Sequence, residues 1–129
     1  MAKSKELKKK LFQEYQTSFK ESSSQFITYY EGIEANELAS LRRSLHEHDS
    51  DFVVVKNRVV KKALQEVDEN QLIDDFSGPI GVTFVKGDVA VAAKSVIKFS
   101  KDHENLKFKS AAIEGKVVDE QQFKQIADL

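Results

Sequence analysis

The sequence predicts a layered α/β or α+β sandwich, with one four-stranded sheet and helices packed against it. Three observations carry this. Segments of helical and strand periodicity alternate along the chain, and alternating helices and strands build layered folds. At 129 residues, with 40% hydrophobic and 32% charged side chains, the chain is the size of one domain. That composition is too apolar for disorder and too charged for a membrane protein. Five Gly and one Pro leave no room for long flexible linkers.

Residues 3–20 read as an amphipathic helix. Leu7, Leu11, Tyr15 and Phe19 recur every four positions, and Phe12 widens the stripe. Lys3, Lys5, Lys8, Lys9 and Lys10 crowd its first turns, where cations oppose the helix dipole. That end is either solvated and frayed or a surface that faces anions. Ser22, Ser23 and Ser24 break the helix, and Gln25 to Tyr30, rich in aromatic and β-branched types, reads as a strand. Gly32 turns the chain. Leu38, Leu41 and Leu45 mark a second helix over about 34–47, which also carries Arg42, Arg43 and His46.

Asp49 to Asp51 is a polar turn. The run Phe52-Val53-Val54-Val55 suits a strand covered on both faces. Asn57 follows as the expected N-cap of a third helix. Val59, Val60, Ala63, Leu64 and Val67 form its apolar side, and Arg58, Lys61 and Lys62 share the other. Residues 56–62 carry four positive charges and no negative one. A short acidic helix near 69–75 ends at Phe76, and Ser77-Gly78-Pro79 is a turn. Ile80 to Val85 is the third strand.

Gly87-Asp88 opens a helix over about 88–101 that packs through Val89, Ala92, Ala93, Val96 and Ile97. Leu106 to Ile113 reads as the fourth strand. It alternates partly, with Leu106, Phe108 and Ser110 on one side and Lys107 and Lys109 on the other, exposed side. Glu114-Gly115 turns the chain, Val117-Val118 is a short extended piece, and 119–128 is a last helix using Phe123, Ile126 and Ala127. That helix stops at Leu129 without a terminal Gly or polar tail. The expectation is that the chain is truncated there, or continues into a disordered part.

Enzyme signatures are absent: no GxGxxG, GxxxxGK[ST] or GxSxG occurs. With no Cys, disulfides, thiolate metal sites and thiol catalysis fall together, which fits a reducing compartment. His46 and His48 could close on zinc only if the helix ended between them, and no further ligand cluster completes the site. Asp74-Asp75 reads as a solvent-facing pair, and His103 as a cation at a helix end. The charged start lacks the apolar segment of a secretory signal. The longest apolar stretch, Val89 to Ala93, is far short of the roughly 20 residues of a membrane span.

The net charge of −1 argues against a polyanion partner until it is mapped along the chain. Residues 1–62 hold twelve basic and nine acidic side chains, whereas 63–129 hold eight and twelve. Such asymmetry points to a polyanion-facing side. The basic set is Lys8 to Lys10, Arg42 and Arg43, and Lys56 to Lys62; Arg and Lys on fixed elements supply phosphate contacts. A solvated helix face is the plain alternative. Phe26, Tyr29 and Tyr30 lie close by in sequence, either as core residues or as platforms for unpaired bases.

Several segments together resemble the family of bacterial-type large-subunit ribosomal protein ten, the stalk-base proteins of the acidic ribosomal P-zero group. They are Tyr30 to Ile33, Glu37 to Leu45, Phe52 to Asn57, Phe76 to Pro79, Val91 to Lys94 and Ile113 to Lys116. Their order and spacing, over almost the whole chain, carry the likeness. The resemblance implies a non-enzymatic, cytoplasmic ribosomal component with a ferredoxin-like α+β core, without cofactor or metal. It makes residues 1–129 a single rRNA-binding domain docked on the GTPase-associated region of large-subunit rRNA, next to ribosomal protein eleven. A C-terminal helix that this sequence lacks would carry the acidic stalk dimers that recruit translational GTPases. Repression of the protein's own mRNA through a similar RNA fold is also implied.

The expected RNA-binding residues are Lys8, Lys9, Lys10, Gly32, Arg42, Arg43, Lys56, Asn57, Arg58, Lys61, Lys62, Gly78 and Pro79. The strand-to-helix corner at Lys56 to Arg58 is their centre, and the glycines and proline shape loops that let backbone approach RNA. The family usually carries a basic residue at the position of Glu31, so that position is no phosphate contact here. It often carries Thr or Ser at the position of Glu34, which would cap the second helix. Two rival readings remain: an assembly paralogue of the same fold without stalk dimers, and a protein-only interaction module.

Overall fold

Burial along nearly the whole of Ser24–Tyr29 (β1) places this strand at the centre of a sheet. The structure, a computed structural model, describes residues 2–66 and 70–129. Val67, expected on an apolar helix side, and residue 69, expected to open a short helix, lie outside the described residues, as does the side chain of Lys3.

The other strands are Ser50–Val54 (β2), Ile80–Val85 (β3), Lys107–Ile113 (β4) and Lys116–Val118 (β5). Their order is β2-β3-β1-β4-β5, and each neighbouring pair is antiparallel. β1 and β2 therefore run parallel with β3 between them, the split β-α-β arrangement of a ferredoxin-like sheet. The α+β expectation holds, but the sheet has five strands. The extended piece at Val117-Val118 pairs with Ala111 and Ala112 across the Glu114-Gly115 turn and forms a short second edge.

Helices cover both faces. Ala35–His46 (α2), Val89–Asp102 (α4) and Glu120–Ala127 (α5) bury Leu41, Val96 and Phe123 against Phe26, Phe52 and Ala111. Ala2–Glu21 (α1), Asn57–Glu66 (α3) and the 3-10 turn Asn70–Asp75 bury Phe19, Val60 and Leu72 against Ile27, Val82 and Phe84. This explains the continuous apolar run of β2. It is an edge strand, yet Phe52 belongs to one core and Val53 packs against the other. Among the described residues, no helix is long and apolar enough to cross a membrane.

Local chemistry sets the helix starts. Glu34 stands at the N-cap of α2, and its backbone N–H donates to the Glu37 carboxylate at 3.4 Å. Glu34 thus takes the place where Thr or Ser is usual, with Glu37 answering it as in a capping box. Asp88 accepts from the Val91 N–H at 3.1 Å and starts α4.

The partial alternation expected in β4 breaks at one point. The register with β1 shifts between Ile27 and Thr28, so Thr28 opposes Phe108 while Ile27 opposes Ser110. Lys109 is the extra residue of this bulge, and a bulge reverses which face later side chains take. Phe108 joins the core under α5, where it stacks on Phe123 at 4.7 Å. Ser110 faces the other way and donates to Asp75 Oδ2 at 2.7 Å. Asp75 is accordingly a held, half-buried carboxylate and not a solvent-facing one.

Register also decides which loops meet. Tyr29 opposes Ile80 and Lys107, and Val54 opposes Gly81. The segments after β1 and β2 and those before β3 and β4 therefore gather at one end of the sheet.

Candidate nucleic-acid interface

The corner between β2 and α3 is built by backbone bonds to three elements. The Val55 N–H donates to the Ile80 carbonyl at 3.2 Å, and the Lys56 N–H donates to the Tyr15 hydroxyl of α1 at 3.1 Å. The Lys56 carbonyl accepts from the N–H groups of Val59 and Val60, each at 3.0 Å. Lys56 thus holds the N-cap position, and Asn57 is the first helical residue. The expected Asn57 cap is corrected: its amide instead donates to the Gly78 carbonyl at 2.9 Å and ties the loop before β3 to α3.

At about 1.5 Å per residue, the 20-residue α1 outruns the 10-residue α3 by roughly 15 Å. Tyr15 and Phe19 are buried beneath α3 and the sheet, whereas residues 5–10 are exposed. Where α1 leaves its packing, it and the start of α3 enclose an open groove of about 610 Å³. Lys8, Lys9 and Phe12 line it from one side; Lys56, Asn57, Arg58, Val59 and Lys62 line it from the other. On both helices the spacing is i, i+1, i+4, which puts the residues on one helical face. Among the described residues, five cations and no carboxylate line the groove. All five are exposed, while Phe12 and Val59 are half-buried and form an apolar floor. Lys10 is exposed and Lys61 half-buried, and neither lines the groove.

The loop 76–79 sits at the same end of the sheet. Gly78 has φ +78°, a left-handed conformation that glycine adopts without strain. The Pro79 carbonyl accepts from the Tyr30 N–H at 3.3 Å. Lys109, turned by the bulge, donates to Ser77 Oγ at 3.3 Å and lies 4.7 Å from the centre of the Tyr29 ring. Gly32, also at φ +78°, packs against Asn105, whose amide nitrogen would lie 2.9 Å from a Cβ. Its surroundings are acidic: Glu34, Glu37, Asp102 and Glu104 share a hollow with Lys101 and His103.

Arg42 and Arg43 belong to α2, on the opposite face of the sheet from the groove. Val55 N–H and Asp49 C=O both bond toward β3, so the alternation turns the Phe52 backbone groups outward at the open edge of β2. Arg42 Nε donates to that Phe52 carbonyl at 3.3 Å, with its guanidinium 5.9 Å from the Phe52 ring. Arg43 is exposed nearby.

The remaining candidates have structural partners. Phe26 is fully buried and meets Phe123 edge-on at 4.7 Å. His46 Nδ1 lies 3.6 Å from Asp51. His103 stacks on Phe99 at 4.0 Å and faces Glu37 at 3.7 Å. Among the described residues, no group of three or more His, Asp or Glu could hold a metal ion. Sequence reasoning missed the groove floor and Lys109. The signal for the floor was Phe12 itself, which stands off the four-residue repeat of α1.

Fold and groove together define a class: an α+β domain that presents a cationic surface on its second helical layer. Comparison with known proteins narrows it. Residues 3–101 match the ribosomal protein L10 family. A large ribosomal subunit protein uL10 from Streptomyces avermitilis is 40% identical over 111 residues, covering 86% of this chain and 62% of its own length. Proteins of the same name from Oceanobacillus iheyensis and Bacillus licheniformis are each 35% identical. They cover 96% and 100% of this chain, which spans 75% and 78% of their lengths. The chain belongs to the ribosomal protein L10 family, a family of ribosomal proteins and not of enzymes.

Proposed function

We propose that this chain is an rRNA-binding domain of the large ribosomal subunit, seated at the stalk base in the cytoplasmic ribosome. Family membership supports the ribosomal role. The groove supports the RNA: among the described residues, five cations converge there from α1 and the start of α3 without a carboxylate between them. Phosphates meet these cations at the start of α3, the end of a helix that favours anions. Lys10, Lys61, Gly78 and Pro79 extend the contact around the groove and the adjoining loop. Gly32, at the same end of the sheet, belongs to its margin, whereas the two arginines of α2 lie on the opposite face and stand outside this contact. No bond is made or broken; the domain holds RNA in place.

The chain spans 62% of the Streptomyces relative's length, so anchoring of acidic stalk dimers is a proposal for a longer protein. Contact with ribosomal protein eleven and repression of its own mRNA belong to the same reading.

The test is binding to a stalk-base rRNA fragment over a range of salt. Affinity is expected to fall steeply as salt rises, because bound cations release counterions from the RNA. Lys56→Glu combined with Arg58→Glu should reduce the log–log salt slope by about two, with far-UV circular dichroism unchanged. A flat salt response would sink the phosphate-contact reading.

A further inference from the structure

The groove has a feature that phosphate binding does not use. Its rim is cationic, but its floor is apolar: Phe12 and Val59 are only half-buried. The apolar stripe of α1 also continues beyond its packing, leaving Leu7 53% exposed one turn before Leu11. A duplex presents its phosphate ridge to a protein and keeps its bases stacked inside. Docked on this rim, it would leave the Phe12 ring facing solvent.

An unpaired nucleotide has the complementary arrangement, with a flat apolar base and a charged phosphate a few ångströms away. Aromatic side chains stack on such bases, and cations beside them take the flanking phosphates. At about 610 Å³ the groove is ample for one base and its sugar. Access is open, because the side chains of α1 at 5–10 are exposed.

We propose that the α1–α3 groove takes an unpaired nucleobase of the RNA, stacked on Phe12, while Lys8, Lys9, Arg58 and Lys62 hold the phosphates on either side. This rests on the RNA-binding reading and sharpens its ligand from duplex backbone to an extruded nucleotide.

Two hairpin RNAs test it, one with uninterrupted pairing and one with the same stem interrupted by an adenosine bulge. The wild-type protein should bind the bulged hairpin roughly five- to a hundredfold more tightly, the range that one base–aromatic stack supports. Phe12→Leu keeps an apolar side chain but removes the ring, and the bulged-to-paired ratio should fall close to one. Phe12→Tyr should keep the ratio. Equal binding of both hairpins by the wild type, with a normal salt slope, would overturn the inference while leaving RNA binding intact. So would a preference that survives Phe12→Leu, since the bulge would then act only by bending the stem. Failure to bind either hairpin or the stalk-base fragment would remove the RNA reading and this inference together.

Discussion

Single residues do more than one task at the edge of β2. Arg42 looks from its charge and position like an RNA contact, yet its Nε is spent on the outward Phe52 carbonyl. That bond covers part of an open strand edge, where unpaired backbone groups invite pairing with other chains. Arg42→Ala should therefore lower stability by about 1 kcal/mol in urea unfolding. It should leave the salt slope of RNA binding unchanged. Beneath Arg42, the Phe52 ring lies across Gly81 of β3, and a Cβ at Gly81 would clash with the ring's Cζ edge. Glycine in a central strand is explained by that diagonal packing of an aromatic over its empty position. Gly81→Ala should cost roughly 1–3 kcal/mol by overpacking, measured by the shift in denaturation midpoint.

The elements matter through what they hold together. α1 is a brace for the strand-to-helix corner: the Tyr15 hydroxyl accepts the Lys56 N–H and leaves that lysine at the groove. Tyr15→Phe would leave the N–H without its partner. Stability should fall by about 1–3 kcal/mol, and RNA affinity should fall with it as the corner loosens. Wild-type affinity in the Tyr15→Phe variant would show that the corner needs no brace. The bulge in β4 works in the same way, since one extra residue carries Lys109 to Ser77 and Tyr29 at the groove's side of the sheet.

Over the full fold, the charge is arranged and not merely summed. The formal net charge is −1, yet among the described residues the groove gathers five cations and no carboxylate. Acidic side chains collect elsewhere, as in the hollow beside Gly32. Local attraction combined with near-neutral total charge favours one docked orientation over general adhesion to polyanions. If all five lining cations neutralise phosphates, the log–log salt slope should be about −3.5 to −4.5. A slope near zero in filter-binding or polarisation titrations would mean that the groove makes no such contacts.

The run of helices and strands was legible along the chain, because apolar periodicity, capping residues and turn glycines act over a few residues at a time. So were the basic first half and the corner at Lys56 to Arg58, since charge and strand-to-helix transitions are local properties. Relations between segments were out of reach. Packing in three dimensions paired Val117-Val118 as a fifth strand, reversed the facing of Ser110 at the bulge and assigned Arg42 to the face away from the groove. It also placed Phe12 beside Val59, 47 positions apart in sequence. The physical reason is common to all of these. Strand register and helix packing are set by long-range burial, and no short stretch of sequence records which distant surface will cover it.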